Sequence, residues 1–77
     1  MGITILVFGQ IKEITGIAAW QISGIKSTEE LAAKLVMQFP ELALMKYAMA
    51  VNKILIQTDT ELNENDTVAL LPPFSGG

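Results

Sequence analysis

The sequence closes on LLPPFSGG, Leu70 to Gly77, and the carboxylate on its two last glycines is the group with the clearest chemical use. A terminal carboxyl has a reference pKa of about 3.3–3.7, so at neutral pH it is an anion and a poor electrophile. Adenylation from ATP would turn it into an acyl-phosphate mixed anhydride that a sulfur or amine nucleophile can attack. Such a carboxylate has to thread into the active site of another protein. Gly76 and Gly77 suit that passage, because a residue without Cβ enters a narrow channel and accepts conformations closed to others. Pro72 and Pro73 fix φ and keep the segment from folding back. Residues 72–77 span about 20 Å when extended. They are expected to form a flexible functional tail with Gly77 as the reactive residue.

The rest of the composition offers no active site of its own. Cys and His are both absent, which removes thiolate nucleophiles, disulfides, the commonest general base and the usual metal ligands. No metal site is therefore expected. The five basic residues are all lysines and the net charge is −3, so nucleic acid is not an expected partner. No apolar run approaches the roughly 18 residues of a membrane span, and no positive charge precedes the apolar start as in a signal peptide. A cytoplasmic protein without membrane association is expected. Seventy-seven residues make a single domain, 1–77, and 51% of them are hydrophobic. A chain of this size buries only about 60% of its unfolded surface. The surplus apolar surface is expected to face another protein.

The elements that must carry the tail are legible by period and punctuation. Ile3 to Gly9, ITILVFG, is rich in β-branched and aromatic residues and reads as a strand. QIKEITGIA follows, with Gly16 as a turn, and Ala18 to Ser23 reads as the returning strand of a hairpin with a long loop. Ser27 followed three residues later by Glu30 is a capping box, and Leu31, Leu35 and Phe39 continue one apolar stripe at helical period. Pro40 ends that helix near Gln38 or Phe39. Glu41 to Tyr47 fits a helical turn or a loop. YAMAV and ILIQT form a hairpin about Asn52 and Lys53, and Asn63 to Asp66 is a polar turn before a final strand from Thr67 to Leu71. The order β-β-α-β-β-β predicts an α+β fold: a mixed sheet with one main helix on one face.

A sheet with one covered face should alternate cleanly, and this one does not. Ile3, Ile5 and Val7 suit the helix side, which leaves Leu6 and Phe8 on the open face. Val68 and Leu70 suit the inside, which leaves Ala69 and Leu71 outside. Large apolar residues collected on an open face mark an interface.

The architecture resembles the β-grasp, ubiquitin-like fold. The ending NDTVALLPPFSGG and the start LVFGQIKEITG resemble those of the MoaD-type small subunits of molybdopterin synthase, and the likeness extends over essentially all 77 residues. The resemblance implies that Gly77 is adenylated by an E1-like activating enzyme that uses ATP, and is converted to a thiocarboxylate. It implies that the tail, Gly76 and Gly77 foremost, then enters the large subunit of molybdopterin synthase and delivers sulfur to a pyranopterin precursor in molybdenum cofactor biosynthesis. This chain would bind no cofactor itself, and the assembly would be a heterotetramer. By position, Phe8, Leu55, Leu71 and Phe74 match residues that contact partners in that family. With Leu6, Pro72, Pro73 and Ser75 they make the expected partner-binding set. Lys12 stands where relatives often carry Arg, but the favoured reading is a solvated loop lysine. Trp20 and Tyr47 are expected in core or rim packing, and Glu13, Glu41 and Glu61 at the surface. Two alternatives share the Gly-Gly end: the sulfur carrier of thiamine thiazole synthesis, which ought to lack the Pro-Pro-Phe-Ser lead-in, and a ubiquitin-like modifier joined to lysines.

Overall fold

The computed structural model describes residues 2–72. The elements in chain order are β1 (Ile3–Val7), α1 (Gly9–Thr15), β2 (Ala19–Ile22), α2 (Thr28–Gln38), a 3-10 turn (Pro40–Leu44), β3 (Ala48–Val51), β4 (Ile54–Ile56) and β5 (Thr67–Leu71). They build one sheet in the order β2-β1-β5-β3-β4. The central pair, β1 and β5, is parallel and every other pair is antiparallel. The last strand in sequence therefore fills the middle of the sheet.

Alternation along the strands sorts the side chains as the pattern predicts. Ile3, Ile5 and Val7 of β1, Val68 and Leu70 of β5, and Met49 and Val51 of β3 are buried together. Leu31 and Leu35 of α2 close over them with Ile11, Leu42 and Leu62. Each such side chain contributes about 1.5–3 kcal/mol relative to leaving it in water. Trp20 and Phe39 meet edge to face at the rim, with ring centroids 6.0 Å apart. Tyr47 is half-buried against the same core, and burial pushes its phenol pKa up.

Helix α2 starts where its sequence says. Ser27 Oγ accepts from the Glu30 N–H at 3.3 Å, while Glu30 Oε1 reaches back to the Lys26 N–H at 2.8 Å. A remote residue completes the cap: Asp59 Oδ1 accepts from the Glu29 N–H at 2.9 Å. The helix N-terminus is thus tied to the segment after β4.

The expected loop between the first two strands is instead the two-turn helix α1. Its usual start signals are missing, since Phe8 at the N-cap gives no side-chain hydrogen bond and no acid occupies the first turn. Ile11, Ile14 and Thr15 nevertheless fall at i, i+3 and i+4 and face the core, and Gly16 ends the helix at φ 74° with its N–H donating to Lys12 O at 2.7 Å. Burial of that face outweighs the β preference of Ile and Thr. The ambiguous stretch after Pro40 resolves as the 3-10 turn, anchored by buried Leu42.

The end of the sheet away from the tail is closed by a polar clamp. Asn52 and Lys53 turn the β3–β4 hairpin with φ of 49° and 74°. Positive φ at both central residues matches the right-handed twist of the strands. The Asn52 side chain accepts from the Thr67 N–H at 3.0 Å and donates to Asp66 Oδ1 at 2.9 Å. Asp66 Oδ2 accepts from the Asn63 N–H at 2.8 Å. These bonds, the Asn63 N–H first and the Asn52 amide second, hold the Asp66 carboxyl below the usual carboxylate range. As pH falls, the unfolded chain takes up this proton before the native one does. The contribution is therefore complete above the unfolded value of about 3.9 and is lost as pH falls through the lower native pKa. Thermal melts of the protein and Asp66→Asn should differ most at neutral pH and converge as pH drops below about 4. A constant difference across that range would show that the carboxylate charge contributes nothing.

Candidate functional site

Because β1 and β5 run parallel, both leave the sheet at the same end. Val7 lies level with Leu70, so Phe8, the first residue after β1, and Leu71, the last of β5, come next at that end. One residue further, Gly9 meets Pro72. A methyl group added at Gly9 would lie 3.2 Å from Pro72 Cγ and 3.8 Å from its Cβ. Gly9 also has φ of 57°, the left-handed region that favours glycine. The start of α1 is thus the seat against which Pro72, the first residue after β5, lies. Sequence reading missed this role; the FG pair after a strand was its one local signal.

The open face leads to that seat. Across the strands the register aligns Ala19, Leu6, Ala69, Ala50 and Leu55 in a single row. Phe8 is 47% exposed and Leu55 57%, while Leu6 and Leu71 are half-buried. No residue in any of the five strands is charged. The far end of the face turns polar with Thr4, Thr67 and Gln21, whose Nε2 lies 3.4 Å from Thr4 Oγ1. Hydrophobicity therefore rises along the strands towards Phe8, Leu71 and Pro72. Apolar area of this kind, free of charge and continuous to the exit of the chain, is suited to burial against a protein.

The structure brings together Leu6, Phe8, Leu55, Leu71 and Pro72 of the expected partner-binding set. Pro73, Phe74, Ser75, Gly76 and Gly77 lie outside the described residues. Lys12 is exposed in the last turn of α1, where a cation suits the helix dipole, and Glu13, Glu41 and Glu61 are exposed. Among the described residues, no group of three or more acidic side chains is placed to hold a metal ion. No helix there is long and apolar enough to cross a membrane.

Residues 5–77 match the model of the ThiS family. The chain belongs to the ThiS family. It is 32% identical, over 97% of its length and 99% of the relative's, to the molybdopterin synthase sulfur carrier subunit of Escherichia coli (strain K12). Among solved structures it is similar to a chain in the complex of subunits 1 and 2 of molybdopterin-converting factor from Helicobacter pylori 26695. There the identity is 30%, the TM-score 0.74, and the whole of both chains is covered. The small archaeal modifier protein 1 of Methanosarcina acetivorans superposes with a TM-score of 0.82 at 20% identity, over 97% of this chain and 95% of that one. That likeness speaks for the fold, the ubiquitin-like β-grasp. In this ThiS-family chain the grasp is made by α2 on the covered face, with α1 added at the exit of β1.

The Gly9 seat can be separated from glycine's general role by a matched pair. Gly16 has φ of 74°, and a methyl group there would meet nothing within 4 Å. Gly16→Ala is expected to cost about 1–2 kcal/mol from backbone strain alone and to leave the Leu71 and Pro72 resonances in place. Gly9→Ala is expected to destabilise by at least as much and also to shift those resonances. Equal spectra for the two variants would remove Gly9 from the tail's support.

Proposed function

We propose that this chain is the sulfur-carrier small subunit of a molybdopterin synthase. The reading is carried by the uncharged apolar face that runs without interruption to Pro72, in a chain related over its full length to a molybdopterin synthase sulfur carrier subunit. The Gly77 carboxylate attacks the α-phosphorus of ATP on an E1-like enzyme, releasing pyrophosphate and forming an acyl adenylate. A donor sulfur then displaces AMP and leaves a thiocarboxylate. The open face docks on the large subunit, and the tail carries the sulfur to a pyranopterin precursor in that subunit's active site. Phe8, Leu6, Leu55 and Leu71 supply the docking area. Pro72, Pro73, Phe74 and Ser75 lead in, and Gly76 gives the clearance that the reacting end needs. The ATP is consumed by the activating enzyme, in the cytoplasm, and the acid–base groups are the large subunit's. His and Cys are absent from this chain, in keeping with that division of labour.

Intact-mass analysis of the protein co-expressed with its activating enzyme should show one oxygen-to-sulfur exchange, confined to Gly77. Deleting Gly77 should abolish the exchange and leave the thermal melt unchanged. Dithiolene formation by a preparation with a blocked C-terminus would end the carrier reading, and abundant covalent conjugates to lysines of other proteins would favour a modifier instead. Phe8→Asp places a charge in the apolar face and is expected to weaken binding to the large subunit roughly 30-fold, the effect of losing an interface hot spot of about 2 kcal/mol. A collapse of the monomer on that substitution would mean that Phe8 belongs to the core.

A further inference from the structure

The open face is hollow between its central row and the clamp. Leu6, Ala50, Asn52, Lys53, Thr67 and Ala69 enclose a depression of about 270 Å³ with mostly apolar walls. Register explains it. Ala69 of β5 and Ala50 of β3 stand directly opposite each other, and Leu6 and Leu55 flank them in the same row. Alanine is depleted in strands, where β-branched and aromatic side chains pack better, so two facing alanines are a poor choice for a sheet left on its own. They suit a sheet that receives something between two leucines.

We propose that this hollow seats a single branched or aromatic side chain of the large partner subunit, with a carboxylate beside it that meets Lys53. The inference rests on the docking reading above and specifies its central contact. A cavity of about 150 Å³ already admits a benzene ring, so the hollow has room for one such side chain. Interface cores pack as densely as protein interiors, so a partner covering this face must fill the hollow. Anchors of this kind, set in a pocket and ringed by weaker contacts, carry most of the energy of an interface. Charge selects the occupant. Lys53 lines the hollow and is held at φ 74°, where glycine is favoured, by a turn whose other residue is bonded to Asp66 and Thr67. A second copy of this chain would set another lysine against Lys53, whereas a partner with an acid next to its apolar anchor matches both features.

The chain has no cysteine, so Ala69→Cys places a unique thiol in the hollow of a folded protein. The unmodified variant, whose sulfur already takes a little of the hollow, is the reference against which its adducts are read. Methylthio, propylthio and benzylthio adducts, made after folding, should weaken binding stepwise, by tenfold or more for the last. Undiminished affinity with the benzyl adduct, while Phe8→Asp still disrupts the complex, overturns the hollow as an anchor site and leaves the docking face standing. If neither change matters, the docking reading falls with it. Adducts that alter only self-association would make a second copy the occupant and likewise overturn the inference. Lys53→Glu should slow association about fivefold at low salt and flatten its ionic-strength dependence, since rim charges act on the on-rate. An unchanged rate at every salt concentration removes the carboxylate from the proposal.

Discussion

A five-stranded sheet has two faces, and this chain has helix enough to cover one. That constraint organises the molecule. α2, α1 and the 3-10 turn converge on Ile3, Ile5, Val7, Val68 and Leu70, and the core is complete without any contribution from Leu6, Phe8, Ala69 or Leu71. The residues left over are still apolar. Exposed apolar side chains are ordinary when scattered, but here strand register gathers them on one surface whose strands carry no charge. The parallel pairing of β1 with β5 then turns the surface into a directed one. It sets Val7, the last residue of β1, level with Leu70, so exposed Phe8 and half-buried Leu71 follow at the same edge.

Much of this was legible in the sequence because it depends on local period and punctuation. Alternation in ITILV and TVALL assigned every buried and open position on those strands, and Ser27 with Glu30 located the start of α2. Other features depend on which strands meet, and no local pattern carries that information. The insertion of β5 between β1 and β3 is one. The seat of Pro72 on Gly9 and the facing of Ala50 by Ala69 both follow from that insertion, so neither was visible beforehand. α1 was missed for a different reason. Its seven residues carry no side-chain cap and three of them are β-branched, so propensity pointed away from the helix that burial selects.

The polar clamp holds one end of the open face in place through side-chain hydrogen bonds. Asn52 ties the β3–β4 turn to the first residue of β5 and to Asp66, and so fixes the relative height of Lys53, Leu55 and Ala69. The bonds sit at the end of the sheet opposite the tail. One end of the sheet is therefore pinned by side-chain hydrogen bonds and the other is shaped by a glycine and a proline in contact.

The position of β5 also sets the order in which the molecule can come together. Its partners on β1 lie more than sixty residues back in the sequence, and it is the last of the described strands in chain order. Until it arrives, β1 with β2 and β3 with β4 are two separate hairpins with a gap between them, and isolated hairpins are marginal in water. Pairing across such a distance makes for slow folding, because the loop must close before the contact contributes. Closure of the sheet and the seating of Pro72 on Gly9 thus become a single event.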